Sequence, residues 1–243
     1  MSMLLIDAGN SCVKWVLAER GAWLQQGTLE NVYAEKLPSL FSELPAPRRI
    51  LASNVAGEMM AQPLRAACGL WPNSAFEFIA AQAEQCGVRN LYEHAAQLGS
   101  DRWASLIAAW HLQHAPCLVV NCGTATTVDA LSGEGEFLGG LILPGMQMMQ
   151  HALTAGTAQL TKDAGVWCEF PRTTANATFT GAIRATVGAI RLQFEALSAR
   201  GAARCLISGG AASLVEPHLK LPLARVDNMV LRGLEIIGRT TGA

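Results

Sequence analysis

Charge is what this sequence has least of. Lysine and arginine number 18 and aspartate and glutamate 19 among 243 residues, so charged side chains make up 15% of the chain, against roughly 25% in an ordinary soluble domain. A surface this short of charge is expected to be covered in part by another subunit. The net charge of −1 gives no field that would gather nucleic acid or an anionic membrane, so neither is expected as a partner. No apolar run reaches the roughly 18 to 20 residues that span a bilayer, because Gly139, Gly140, Pro144 and Gly145 interrupt the most hydrophobic stretch. The chain opens directly into a strand, with neither a basic leader nor a cleavage site, and a cytoplasmic protein is expected. The seven cysteines are odd in number, irregularly spaced and without a Cys-X-X-Cys pair. That excludes the commonest structural zinc pattern and points to free thiols rather than a disulfide framework.

Apolar residues are plentiful, at 51%, and a chain of this length can bury a core as one large domain or as two small ones. The most informative stretch is Leu4-Leu5-Ile6-Asp7-Ala8-Gly9-Asn10-Ser11-Cys12-Val13-Lys14-Trp15. An apolar run ends at Asp7, and a Gly-Asn-Ser turn returns into a second alternating strand, which reads as a β-hairpin. Asp7 at the strand end, beside backbone N–H groups that a tight bend points outward, can hold Mg²⁺ and phosphate. An ordinary hairpin connection has the same residues.

A second copy argues for the functional reading. Leu118-Val119-Val120-Asn121-Cys122-Gly123-Thr124-Ala125-Thr126-Thr127-Val128-Asp129 repeats the pattern, with Asn121 in the place of Asp7, Gly123 in that of Gly9 and Thr124 in that of Asn10. The repeat suggests an α/β chain of two duplicated domains, 1–116 and 117–243, facing one another across a cleft to which each supplies a phosphate-binding hairpin. That is the organisation of the actin-like, sugar-kinase-like ATPases, whose domains are ribonuclease H-like.

Between and beyond the hairpins the pattern alternates. A strand is expected over 21–32, a helix over 34–44, a strand over 49–53, a helix over 58–68 and a strand over 76–80. In the second half a helix is expected over 175–198, a strand over 205–207, a helix over 211–218, a short strand at 225–226 and a helix over 229–237. Glu134-Gly135-Glu136 reads as a solvated hairpin tip. His111 and His114 suggest no third metal ligand and fit a helix C-terminus better.

Gly99-Ser100-Asp101-Arg102-Trp103 opens an amphipathic helix with apolar positions at 103, 106, 107 and 110. Ser100 suits the N-cap and Asp101 the first turn, where the helix dipole favours negative charge and should keep its pKa low. Good capping alone would account for both. The functional alternative is a carboxylate that accepts a proton from a substrate hydroxyl, with Arg102 placed to fork onto a carboxylate or phosphoryl group.

These three segments, in this order, together with Phe137-Leu138-Gly139-Gly140 and Leu143-Pro144-Gly145, resemble the ordered motifs of the type III pantothenate kinases over nearly the whole chain. The resemblance implies transfer of the γ-phosphoryl group of ATP to pantothenate, giving 4′-phosphopantothenate in the first step of coenzyme A biosynthesis. It also implies a homodimer with the active site near the interface. Residue by residue, it implies ATP binding by Asp7, Ala8, Gly9, Asn10, Ser11, Cys12, Val13, Lys14 and Thr124, with Asp7 on Mg²⁺ directly or through water. Asp101 would be the general base. Tyr92, Gly99, Ser100, Asp101, Arg102 and Thr174 would bind pantothenate, and Ser208-Gly209-Gly210 would lie on the adenosine side. Asn121 stands where the family has the aspartate that ligates a monovalent cation. An amide oxygen can coordinate K⁺ or NH₄⁺ but brings no charge, which puts activation by these ions in question. Two rivals follow from the same residues: a kinase for another small alcohol on this scaffold, and an accessory protein that keeps the fold without catalysis. Intact Asp7, Lys14, Asp101 and Arg102 argue against the second.

Overall fold

The apolar run at the start of the chain becomes the middle strand of a sheet. In the computed structural model, which describes residues 2–156 and 164–241, β1 (Ser2–Ala8), β2 (Cys12–Glu19) and β3 (Ala22–Glu30) form an antiparallel meander. A 3₁₀ turn and α1 (Leu37–Ser42) lead to β4 (Arg49–Asn54), α2 (Glu58–Cys68) and β5 (Ala75–Phe78). β4 lies parallel to β1 and β5 parallel to β4, giving the order β3-β2-β1-β4-β5. The helix expected over 34–44 is split at Lys36 and Leu37, where Pro38 starts a fresh helix at its first turn. A small hairpin of β6 (Glu84–Gln85) and β7 (Val88–Asn90), absent from the sequence reading, precedes α3 (Ser100–Gln113). Its turn places Cys86 and Gly87 at φ 52° and 78°, so Gly87 supplies the conformation that its neighbour adopts under strain.

The second half repeats the scheme. β8 (Cys117–Cys122) pairs antiparallel with β9 (Ala125–Leu131), which pairs with β10 (Glu136–Pro144). After α4 (Met146–Gly156) and α5 (Thr174–Ser198), β11 (Arg204–Ser208) lies parallel to β8, α6 (Ala212–Val215) follows, and β12 (Leu223–Arg225) lies parallel to β11. The neighbours β10-β9-β8-β11-β12 match β3-β2-β1-β4-β5 strand for strand. The duplication read from the two hairpins is thus a duplication of whole sheets. Ile190 and Leu197 of α5 and Val215 of α6 close one face of the second sheet over Leu118, Val120, Val128 and Ile207.

The compact units are Met1–Gln113 with Asn228–Ala243, and His114–Asp227. They differ from the division 1–116 and 117–243 in the last helix, α7 (Met229–Thr240), which belongs with the first unit. The reason is packing. Alternation along β1 sends Leu4, Ile6 and Ala8 to a core with Leu37, Phe41 and Leu64, and Met3, Leu5 and Asp7 to the other face. There α7 and α3 cover the sheet. Gly238 lets α7 approach so closely that an added Cβ would sit 2.7 Å from Met3 Sδ. Gly233 brings its backbone against the carbonyl of Ala104 in α3, with no room for a methyl group.

Gly233→Ala should therefore force α7 off α3 and cost about 2 to 4 kcal/mol in urea unfolding. Gly188→Ala in α5, where a Cβ would meet nothing within 4 Å, should be neutral or stabilise by up to about 1 kcal/mol.

Candidate active site

The first turn occupies Gly9-Asn10-Ser11, between Ala8 at the end of β1 and Cys12 at the start of β2. Gly9 N–H donates to the Cys12 carbonyl at 3.1 Å. A Cβ at Gly9 would meet only that same carbonyl, at an ordinary 3.5 Å. The backbone does not itself require glycine here, and what the missing side chain leaves is open space at the turn. From the end of β3, Asn31 Nδ2 donates to the Gly9 carbonyl at 2.8 Å and Asn31 N–H to the Ser11 carbonyl at 3.0 Å.

Register brings the charged groups together. Asp7 is directly opposite Lys14 on β2 and level with Ser53 on β4, so all three side chains leave the same face of the sheet. Ser53, fully buried, shares a hydrogen bond of 2.8 Å with the hydroxyl of Ser100, and this ties the start of α3 to the strand beside Asp7. Burial raises the Asp7 pKa to about 7, the negative charge of Asp101 adds to the rise, and Lys14 opposes it.

Ser100 was expected to cap α3, but its hydroxyl is engaged by Ser53. The first turn is held instead by Trp103 N–H donating to the Gly99 carbonyl at 3.0 Å and by Arg102 N–H donating to Asp101 Oδ1 at 2.8 Å. The low pKa expected for Asp101 is also corrected. Burial raises it, and the Arg102 N–H and guanidinium only oppose that shift, so desolvation outweighs the helix N-terminus. A Cβ at Gly99 would lie 2.6 Å from Asp101 Oδ1; glycine here gives the carboxylate its place. Arg102 is buried, with Nη1 donating to the Tyr92 hydroxyl at 3.2 Å and its guanidinium 5.8 Å from the Tyr92 ring centre. Tyr92 N–H in turn donates to Asn90 Oδ1 at 3.0 Å.

Asp7 to Lys14, Tyr92 and Gly99 to Arg102 thus all belong to the first unit, while Asn121, Thr124 and Thr174 belong to the second. The second turn is one residue shorter than the first: Gly123 N–H donates to the Ala125 carbonyl, two residues on, at 3.0 Å, and Gly145 N–H donates to the Thr124 carbonyl at 2.9 Å. A side chain on Gly145 would strike the carbonyls of Gly123 and Thr124, which explains Pro144-Gly145. Asn121 is opposite Thr127 and level with Ser208, the positions of Lys14 and Ser53 in the first sheet. Gly209, at φ 98°, closes over it, and a Cβ there would lie 2.7 Å from Asn121 Oδ1. Thr174 is the first residue of α5, capped by Thr173, and lines an open hollow of about 630 Å³ with Arg172, Thr173, Thr178 and Leu153.

No group of three metal-ligating side chains occurs among the described residues. Two half-buried carboxylates at Asp7 and Asp101, each with its pKa raised by desolvation, fit a hard divalent cation that takes one or two protein oxygens and completes its shell with phosphate and water. His111 lies in the last turn of α3, as expected, with its Nε2 2.9 Å from the Cys86 carbonyl in the β6–β7 turn.

Sequence reasoning missed Ser53, Asn31 and Asn90. Ser53 could have been found by asking which residue of the expected 49–53 strand lies level with Asp7; Asn31 and Asn90 lie at strand ends whose partners no local pattern reveals.

Comparison with solved structures gives the same fold. A conserved protein of the Baf family from Campylobacter jejuni superposes with a TM-score of 0.64 at 22% identity, covering 98% of each chain. An inorganic polyphosphate/ATP-glucomannokinase from Arthrobacter sp. strain KM superposes with a TM-score of 0.51 at 13% identity, covering 98% of this chain and 99% of that one. The fold is that of the sugar-kinase and actin-like ATPases. Among sequences, a type III pantothenate kinase of Aromatoleum aromaticum is 46% identical over 99% of both chains. One of Nitrosospira multiformis is 42% identical over 98% of this chain and 92% of its own. Since the type III pantothenate kinase family model also matches residues 3–196, the chain belongs to that family.

Proposed function

We propose that this protein transfers the γ-phosphoryl group of ATP to the 4′-hydroxyl of pantothenate, with Asp101 as general base. The observation that carries the assignment of roles is the pairing of Asp7 and Asp101, one at a strand end and one at a helix start, close enough for the charge of Asp101 to raise the pKa of Asp7.

In this reading the turn from Asp7 to Lys14, that is Asp7, Ala8, Gly9, Asn10, Ser11, Cys12, Val13 and Lys14, holds the phosphates of ATP together with Thr124. Asp7 holds Mg²⁺, which supplies charge neutralisation at the transferring group when bound. Asp101 accepts the hydroxyl proton as the new O–P bond forms and the bond to the ADP oxygen breaks. Burial favours this, because a carboxylate with a raised pKa is a better base than one stabilised by a helix end. Arg102, pre-oriented by Tyr92, offers a cation to the acid substrate, and Gly99, Ser100 and Thr174 line its pocket. Asn121 offers an amide oxygen and no charge to K⁺ or NH₄⁺. A homodimer is supported by Ile142, Leu192 and Phe170, large apolar side chains on the second unit that are 66%, 70% and 79% exposed. No helix among the described residues is long and apolar enough to cross a membrane, in keeping with a cytoplasmic enzyme.

Incubation with Mg-ATP and pantothenate should yield 4′-phosphopantothenate by mass spectrometry, from a species of twice the chain mass in sedimentation. Phosphorylation of a different alcohol in its place would overturn the substrate. Asp101→Asn should lower kcat by at least about 10²-fold while Mg-ATP binding persists; near-normal turnover would remove Asp101 from its role. Gly99→Ala should displace the Asp101 carboxylate and lower kcat by about 10- to 100-fold, with KM for ATP little changed.

A further expectation concerns pH. Asp7 releases its proton in the unfolded chain near its ordinary value of 3.8 but in the fold only at about 7. Without nucleotide the native state therefore loses stability as pH rises between these values, and the full penalty is present above about 7. Asp7→Asn should escape it: the variant should be more stable than the wild type, by a margin that grows from pH 4 to about pH 7 and is then flat in urea unfolding.

A further inference from the structure

The first turn is held by a residue that none of the motifs contains. Asn31 follows the last residue of β3, at the start of a 3₁₀ segment whose N-cap, Glu30, makes no side-chain cap. Its backbone N–H donates to the Ser11 carbonyl at 3.0 Å, continuing the β2–β3 ladder one step. Its side chain does something different, donating from Nδ2 to the Gly9 carbonyl at 2.8 Å.

That bond has a geometric consequence. The Gly9 carbonyl and the Asn10 N–H belong to one planar trans peptide, in which C=O and N–H point in opposite directions. Fixing the carbonyl toward Asn31 therefore fixes the Asn10 N–H away from it. Gly9 N–H, meanwhile, is turned inward onto the Cys12 carbonyl at 3.1 Å. The Gly9–Asn10 peptide could rotate without breaking the hairpin ladder, and the Asn31 amide is what sets its direction.

A packing role alone would not favour asparagine here. Its Oδ1 is buried and has no hydrogen-bond partner among the described residues, a loss of roughly 1 to 3 kcal/mol for a polar atom. The 3₁₀ start offers no compensation, since its N-cap is Glu30, which makes no side-chain cap, and Asn31 is already inside the segment. What the amide provides is the single bond to Gly9.

We infer that Asn31 is a positioning residue for nucleotide binding, one that aims the Asn10 N–H at a phosphate group of ATP. The inference rests on the reading of the first turn as the phosphate site. It deepens that reading by placing one of the determinants of phosphate affinity outside the Asp7–Lys14 stretch. Asn31 itself does not touch the substrate in this account.

The test is calorimetric titration of the full-length protein with Mg-ATP and, separately, with adenosine. Asn31→Leu keeps the number and branching of the side-chain heavy atoms, removes the donor and also removes the unsatisfied acceptor, so the variant should stay folded, with an unfolding temperature within a few degrees of wild type. It should nevertheless bind Mg-ATP about tenfold more weakly, with adenosine affinity within about twofold of wild type and kcat at saturating ATP changed much less than KM for ATP. Asn31→Ala should weaken Mg-ATP to a similar degree. Wild-type affinity for Mg-ATP in both variants would overturn the inference and leave the phosphate site standing. Equal weakening of adenosine and Mg-ATP would also overturn it, since that reports general damage to the unit. Failure of the wild type to bind Mg-ATP would remove the phosphate reading and the inference together.

Discussion

The structure turns on two half-buried carboxylates, Asp7 at the end of the central strand and Asp101 in the first turn of the helix laid against that face of the sheet. Asp7 sits at the end of the central strand because the alternation that sends Leu4, Ile6 and Ala8 into the core sends Met3, Leu5 and Asp7 to the opposite face. Leu5 and Met3 are covered there by helices, and Asp7 falls where the cover begins, at the start of α3. Burial then makes ionisation costly, and Asp101 makes it costlier. Lys14 is one strand away but does not cancel the rise. A protein selected only for stability would place a neutral side chain at this position. A site that receives a divalent cation and a chain of phosphates has a use for two carboxylates whose charge is not already neutralised.

Helix α3 gives up something local to reach that arrangement. Its first residue carries a hydroxyl of the kind that ordinarily satisfies a free N–H of the opening turn, worth about 1 kcal/mol. Ser100 turns instead to Ser53, a buried residue on the strand next to Asp7. The helix is thereby anchored to the sheet at the level of Asp7, and its own opening turn is left to the Gly99 carbonyl and the Asp101 carboxylate. Gly99 completes the compromise, because any side chain there would compete with Asp101 for the same space. The three residues Gly99-Ser100-Asp101 therefore read as a helix start in sequence and act as a strut in space.

Much of this was legible in the sequence, and the reason is local. Hairpins, strand ends and helix starts are set by residues within a few positions of one another, so the two turns, most of the succession of strands and helices along the chain and the start of α3 could be read directly. The equivalence of Asp7 with Asn121 followed from counting along two strands, and the sheets confirm it by giving both residues partners at corresponding registers. What escaped depended on distant segments. The return of α7 to the first unit requires Gly233 to meet Ala104, more than a hundred positions away, and a helical stripe does not name its partner. The upward shift of the Asp101 pKa escaped for a related reason: the helix end is visible in sequence, while the desolvation that outweighs it comes from groups brought in from elsewhere. Asn31 fell within the strand expected over 21–32, and nothing local marks the carbonyl its side chain reaches across the hairpin.

The differences between the two halves are as instructive as their likeness. Both turns begin with a glycine whose N–H is turned onto a carbonyl of the returning strand, three residues on at Gly9 and two at Gly123, and a Cβ at either would meet only that carbonyl, at 3.5 Å. Yet the first turn carries Asp7 opposite Lys14, and the second carries Asn121 opposite Thr127. The first turn carries charge at these two positions and the second carries none, and the second reaches its partner strand with one residue fewer. The duplication thus supplies two similar hairpins, and the exchange of Asp7 and Lys14 for Asn121 and Thr127 makes them electrostatically distinct.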